Sequence, residues 1–276
     1  MKDACIALIS DFGSRDAYAG VMKGVIAREA PSARLIDLTH DIPPGDVRQA
    51  AFRLWQAFPY MPRGTIFLAV VDPGVGTRRK PIVICGNGFS YVGPDNGLFT
   101  YALEGKGATR SVEIARFKAK SSTFHGRDLF APAAALLATG IDPAELGPPV
   151  AELVSIPWPH LTSVEAQGVI RGELMFADGF GNFVTSIGAL VSQNATIRWQ
   201  PWVPGCVPLE VPTNRLRVVM GSGVEFPLVR TFAEVPERAP LAYIGSDGLL
   251  EIGVNRGNAA ESLKLTSGME VTLAWQ

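Results

Sequence analysis

Asp72 and Arg79 flank a tight turn in the run Val70-Val71-Asp72-Pro73-Gly74-Val75-Gly76-Thr77-Arg78-Arg79, directly after an apolar strand-like segment. A carboxylate can orient or deprotonate water, and a guanidinium can stabilise a developing negative charge. Gly74 and Gly76 would also remove the β-carbons that keep a ligand from the backbone. The same run reads as ordinary turn chemistry, because Pro-Gly after a strand is common. Three further clusters carry polar groups at element ends. Ser10-Asp11-Phe12-Gly13-Ser14-Arg15-Asp16 follows the first strand; Asp11 could take a ribose diol, and Asp16 could cap the next helix. In Thr123-Phe124-His125-Gly126-Arg127-Asp128, His125 is a candidate acid or base and Asp128 a candidate N-cap. Asp178-Gly179-Phe180-Gly181-Asn182 and Ser246-Asp247-Gly248 read as hairpin turns, or as a stacking platform (Phe180) and an amide (Asn182) facing a purine.

These clusters need a scaffold that puts strand ends together. Short apolar runs at 4–9, 34–38, 65–71, 82–85 and 90–92 alternate with helical patterns at 16–29, 46–58, 96–103 and 128–139. That alternation predicts an α/β fold, an N-terminal mostly parallel sheet flanked by helices. Ile66 to Val71 is almost continuously apolar, as expected of a strand covered on both faces. Around Ile156-Pro157-Trp158-Pro159-His160 two prolines interrupt regular structure. The predicted division is an N-terminal domain at 1–156, a linker at 157–167 and a smaller C-terminal β-barrel-like domain at 168–276, built on short runs with glycine-marked turns.

The composition narrows the function. The 276 residues carry a formal net charge of -1, 47% hydrophobic and 18% charged residues. Such a balance suits a folded protein with a small-molecule ligand and argues against a nucleic-acid partner or disorder. The apolar stretch near Leu129 to Ile141 is broken by Pro132 and Gly140 and too short to span a membrane, so no membrane partner and a cytoplasmic location are expected. Cys5, Cys85 and Cys206 read as buried free thiols. His40, His125 and His160 show no metal-ligand spacing, so no metal is expected. Neither a P-loop nor a Gly-x-Gly-x-x-Gly after the first strand is present, nor a Gly-x-Ser-x-Gly elbow.

Taken together, Ser10-Asp11-Phe12-Gly13, Asp37 to Pro44, Val71 to Arg79, Gly93 to Gly97, Phe124 to Asp128, Asp178 to Asn182 and Gly257 to Ala260 resemble the adenosine-forming S-adenosyl-L-methionine (SAM) hydrolase family, relatives of the SAM-dependent fluorinase and chlorinase. The resemblance runs over nearly the whole chain. It implies a homotrimer that binds SAM between the large domain of one subunit and the small domain of the next, with SAM as substrate and no cofactor. It assigns Asp72, Arg79 and His125 to catalysis, with His125 accepting or relaying the proton of the attacking water. Asp11 would bind the ribose, Asp16 would lie near the methionine amine, and Asp178, Phe180, Asn182 and Ser246 would hold the adenine and methionine ends. The turn at Asp178 differs in length from that of the halogenases. Asp72 to Gly76 and His125 to Arg127 replace their halide-binding segments, and their inserted loop after Pro94 is missing, so water is the expected nucleophile. The alternatives are a halogenase and a non-catalytic SAM or adenosine binder.

Overall fold

The computed structural model describes residues 4–104, 107–193, 196–213 and 215–275. The chain forms two compact units, Met1–Ile156 and Pro157–Gln276. The first holds six strands: β1 (Cys5–Ser10), β2 (Arg34–Thr39), β3 (Ile66–Val70), β4 (Pro81–Gly86), β5 (Phe89–Pro94) and β6 (Ala108–Glu113). They hydrogen-bond in the order β2-β1-β3-β5-β4-β6. The β2–β1, β1–β3 and β3–β5 pairings are parallel, and β4 runs antiparallel to both its neighbours.

The apolar runs are continuous because both faces of this sheet are covered. Ile6, Leu8, Leu68 and Val70 point to one side, where they meet Met22 and Ile26 of α1 (Tyr18–Glu29) and Ala131 to Ala135 of α3 (Ala131–Ala138). The alternate residues Ala7, Ile9, Phe67 and Ala69 meet Ala50 and Leu54 of α2 (Val47–Ala57) on the other. Asp46 caps α2 by accepting the Gln49 N–H at 2.8 Å. With α1 and α2 on opposite faces, the strand order reverses between β1 and β3. A crevice therefore opens at the carboxyl ends of those two strands, the position where α/β sheets hold ligands.

Several local expectations are corrected. Residues 96–103 form turns instead of a helix, because Gly97 takes φ +92° and Asn96 Nδ2 bonds the Val71 carbonyl at 2.9 Å. The helical stretch at 128–139 begins earlier, as a π-turn at Gly126–Phe130 that runs into α3. The cysteines are free but only half-buried. Among the described residues, no helix is long and apolar enough to cross a membrane.

The second unit is all but helix-free. Its strands are β7 (Leu161–Val164), β8 (Val169–Ala177), β9 (Phe183–Thr185), β10 (Leu190–Gln193), β11 (Thr196–Trp199), β12 (Leu209–Pro212), β13 (Arg217–Met220), β14 (Glu225–Phe226), β15 (Pro240–Ile244), β16 (Leu250–Val254) and β17 (Glu270–Ala274), with one short helix, α4 (Ala259–Ser262). Eight of the strands make an antiparallel sheet in the order β14-β13-β17-β8-β9-β16-β15, with β7 also paired to β8. Just beyond β14, the Val229 N–H bonds the Ala242 carbonyl of β15 at 2.9 Å, and the Ala242 N–H returns to Pro227 at 2.9 Å. These bonds draw the two ends of the sheet together into a nearly closed barrel around Ile170, Leu174, Trp199, Val218, Ile252 and Leu273. The segment 157–167 is more than a linker: Leu161–Val164 pairs antiparallel with Val169–Gly172. The prolines at 157 and 159 interrupt structure only up to that point.

Candidate active site

In the first unit, Ser10 lies opposite Val70 in the parallel β1–β3 ladder, so the chains leaving both strands enter the crevice side by side. Asp11 and Asp72 stand there. Burial raises the Asp11 carboxyl above its ordinary range and the Asp72 charge adds to the rise, against the Gly45 N–H that donates to Asp11 Oδ2 at 2.8 Å.

Asp72 is neutralised by Arg79. Arg79 Nε lies 2.9 Å from each carboxylate oxygen, Nη2 also donates to Oδ2, and both side chains are over nine-tenths buried. The guanidinium rests 5.3 Å from the centre of the Phe130 ring. Gly76 serves the protein's own packing. A Cβ on Gly76, at φ +77°, would sit 2.9 Å from the Ser122 carbonyl, and one on Gly74 would touch Arg79 Cγ at 3.4 Å. The constraint is tight at Gly76, whereas the Gly74 contact is at ordinary van der Waals distance.

His125 enters from the loop before α3. Its Nδ1 is 2.7 Å from Arg79 Nη2. A guanidinium has no acceptor, so Nδ1 must accept and the imidazole is neutral with its proton on Nε2. Burial and then the Arg79 charge lower the His125 pKa, against weaker opposite pulls from Asp72 and Asp128. Gly126 lets this turn settle on α1, since a Cβ there would lie 2.9 Å from Met22 Sδ. Asp128 is not an N-cap. Its Oδ2 accepts the Lys120 and Ser121 N–H groups at 2.8 Å each while Arg127 pairs with it, which fixes the loop leading to His125.

Asp11, Asp72, Arg79 and His125 thus converge on one strand-end crevice. Asp16 is exposed and leaves α1 uncapped: the N-cap position is Ala17, with no side-chain hydrogen bond.

In the second unit, Asp178 organises the β8–β9 turn by accepting the N–H groups of Phe180 and Asn182 at 2.8 and 2.9 Å and the Asn182 amide at 3.2 Å. The turn leaves Phe180 83% exposed and Asn182 buried. Ser246 is exposed on the β15–β16 turn. That turn stands at the opposite end of β16 from the Asp178 turn, because Phe183 pairs with Ile252 and Val184 with Glu251. Local backbone alone therefore groups Asp178, Phe180 and Asn182 but holds Ser246 a strand's length away.

One residue escaped the sequence reading. Phe232 lines an open depression with Phe180, Asn182, Val254 and Asn258, and its ring and Asn182 Oδ1 both crowd the side-chain-free Gly253. Its position was signalled by Thr231-Phe232-Ala233-Glu234, a capping-box pattern that forms a short 3₁₀ turn here. Among the described residues, no three His, Cys, Asp or Glu side chains are grouped to hold a metal ion.

Comparison with known proteins bears on this arrangement. Residues 6–147 match the sequence model of the SAM hydroxide adenosyltransferase N-terminal domain, and residues 172–272 match that of the C-terminal domain. The chain belongs to the SAM hydroxide adenosyltransferase family. The (R)-S-adenosyl-L-methionine hydrolase of Thermus thermophilus is 42% identical over 97% of this chain and 98% of its own. A crystal structure of an uncharacterised conserved protein from Thermotoga maritima superposes with a TM-score of 0.81 at 34% identity, covering 98% of this chain and 99% of that one. The fluorinase of an Actinoplanes species is more distant, 27% identical over 97% of this chain and 96% of its own. The first matched region of this chain contains Asp11, Asp16, Asp72, Arg79 and His125, and the second contains Asp178, Phe180, Asn182 and Ser246.

Proposed function

We propose that this protein hydrolyses S-adenosyl-L-methionine to adenosine and L-methionine by attack of water-derived hydroxide at C5′. The observation that carries the proposal is the hydrogen-bonded chain Asp72–Arg79–His125 at the β1/β3 crevice, next to the Asp11 carboxylate. Free water has a pKa of about 15.7, so the nucleophile is the obstacle. Arg79 spends Nε and Nη2 within the cluster, and Nη1 has no partner among the described residues. Its N–H groups are available to hydroxide. The Nε2–H of His125 is a second donor, so two donors in a largely buried site favour hydroxide over water.

This tautomer changes the role expected for the histidine. With Nδ1 held by Arg79, His125 donates to the nucleophile, and the water's proton leaves by a lone pair of Asp72 toward solvent. The O–C5′ bond forms as the C5′–S bond breaks, and its electron pair stays on sulfur as a neutral thioether. No acid is needed for that leaving group. The sulfonium supplies its own activation, so the reaction requires no cofactor. Because charge is neutralised at the transition state, a pocket shielded from water favours it.

In the same proposal, Asp11 takes the ribose hydroxyls and Asp16 and Ser246 lie toward the methionine end. Phe180, Asn182 and Phe232 receive the adenine, with Asp178 fixing their turn. The same proposal takes the protein to be a cytoplasmic homotrimer whose copies complete one another's sites, with the 83% exposed Phe180 ring left for the ligand to cover. Incubation of the pure protein with SAM, followed by chromatography, tests the reaction. Adenosine and methionine in equal amounts, unaffected by excess chloride, are expected. Formation of 5′-chloroadenosine, or tight binding with no product, would overturn it.

A further inference from the structure

We propose that His40 is a positioning residue for Asp11, acting through a hydrogen-bond relay that runs from the buried Ser10 and His40 to Asp37 and Lys23 at the surface. The proposal rests on the reading of Asp11 as the carboxylate that takes the ribose diol.

The relay lies beside the catalytic cluster and is no part of it. Ser10 Oγ is 2.7 Å from His40 Nδ1, His40 Nε2 is 3.1 Å from Asp37 Oδ1, and Lys23 Nζ donates to Asp37 Oδ2 at 2.7 Å. Ser10 is fully buried and His40 nearly so, while Asp37 and Lys23 reach the surface. Burial raises the Asp37 carboxyl, but Lys23 and His40 outweigh it and hold the group below its usual range, hence ionised.

An ionised carboxylate only accepts, which puts the His40 proton on Nε2. In the neutral imidazole Nδ1 then accepts the Ser10 hydroxyl proton, and a lone pair of Ser10 Oγ is left for the Phe12 N–H at 3.4 Å. Every donor in the chain has one acceptor and one direction. The main chain repeats the attachment: the Gly13 N–H donates to the His40 carbonyl at 2.7 Å, and the Ile42 N–H to the Ser10 carbonyl at 3.4 Å. Residues 10 and 13 are thus tied to residues 40 and 42, with Asp11 suspended between the ties and its carboxylate held by Gly45.

A serine, a histidine and an aspartate in series also suggest nucleophilic catalysis. Ser10 cannot serve in that way, because it has no exposed surface on which to meet a substrate. What the relay can do is fix a carboxylate. Two hydrogen bonds to a vicinal diol demand one orientation of Asp11, and misplacement of a binding group is costly even when the group is intact.

The experiment compares binding of adenosine and 2′,3′-dideoxyadenosine, which lacks the diol, by calorimetry. Wild type should prefer adenosine by about tenfold or more, the value of a charge-assisted hydrogen bond. Asp11→Ala should abolish the preference; if it does not, the reading of Asp11 fails and the proposal with it. With that control in place, His40→Leu and Ser10→Ala should each remove most of the preference while dideoxyadenosine affinity stays within about twofold. His40→Asn, whose amide oxygen can accept the Ser10 hydroxyl, should restore part of it. Equal loss for both ligands, or no loss for either, would make His40 a structural residue and overturn the proposal. Should His40→Leu not fold, Ser10→Ala decides alone, since it removes a single oxygen.

Discussion

Arg79 Nη2 lies 2.7 Å from His125 Nδ1, and this contact joins residues 46 positions apart into one electrostatic unit. Its direction is fixed by chemistry, since only the histidine can accept. The unit carries the negative charge of Asp72, the positive charge of Arg79 and a neutral imidazole. Protonating the imidazole would turn Nδ1 into a donor facing a donor.

Acid should therefore switch the enzyme off through His125. Burial and Arg79 lower its pKa, so the neutral form persists below the ordinary imidazole value of 6.5. As pH falls through the lowered pKa the Arg79 contact is lost; raising pH leaves this group unchanged. The acid limb of kcat/KM should have its midpoint below 6.5, and a pH profile checks it. His125→Asn should lower turnover and erase the limb.

Asp72→Asn should destabilise the fold as well as the chemistry. The Arg79 side chain is only 9% exposed, and removing its counter-charge strands a buried cation, at about 3–5 kcal/mol. Urea denaturation measures that cost. The double variant Asp72→Leu with Arg79→Met should recover much of the stability while turnover stays down by about 10²-fold or more.

Phe180→Ala should separate binding from folding. At 83% exposure the ring contributes little to stability, so the melting midpoint should be nearly unchanged. Loss of an aromatic platform for a base costs about 1–3 kcal/mol, so adenosine affinity should fall by roughly ten- to a hundredfold. Asn182→Ala should weaken the same ligand and also loosen the turn, because its amide bonds Asp178.

Gly76→Ala should be worse than Gly74→Ala. The former needs a positive φ and meets a backbone carbonyl at 2.9 Å, whereas the latter makes contact at 3.4 Å. The expected cost at Gly76 is about 1–3 kcal/mol, read as a lower melting midpoint. Activity should fall with it, since the displaced Ser122 belongs to the loop that leads to His125.

Much of the first unit is legible in its sequence. β1, β3, β4 and β5 fall on the apolar runs because strands covered on both faces need apolar residues on both, while β2, at the sheet edge, keeps only a short partly exposed run. The apolar spacing at 96–103 matches a helix as well as turns, and only the conformation of Gly97 decides. β6 (Ala108–Glu113) went unseen because its Ala108, Thr109 and Arg110 are exposed and carry no apolar pattern. In the second unit β7 falls within the stretch expected to be a linker, because Pro157 and Pro159 dominate the reading there.

The sequence by itself determined where the charged groups leave the sheet: Asp11 and Asp72 follow apolar strands, and His125 precedes an apolar helix. Burial patterns are local, so they can be read along the chain. Only the tertiary structure decided what those groups touch. That Arg79 holds His125 as a neutral donor, that Gly76 yields to Ser122, and that His40 ties down both sides of Asp11 all depend on partners about 27 to 46 residues away. Hydrogen-bond direction is set by the packing that brings such partners within 3 Å, and no spacing in the chain encodes it.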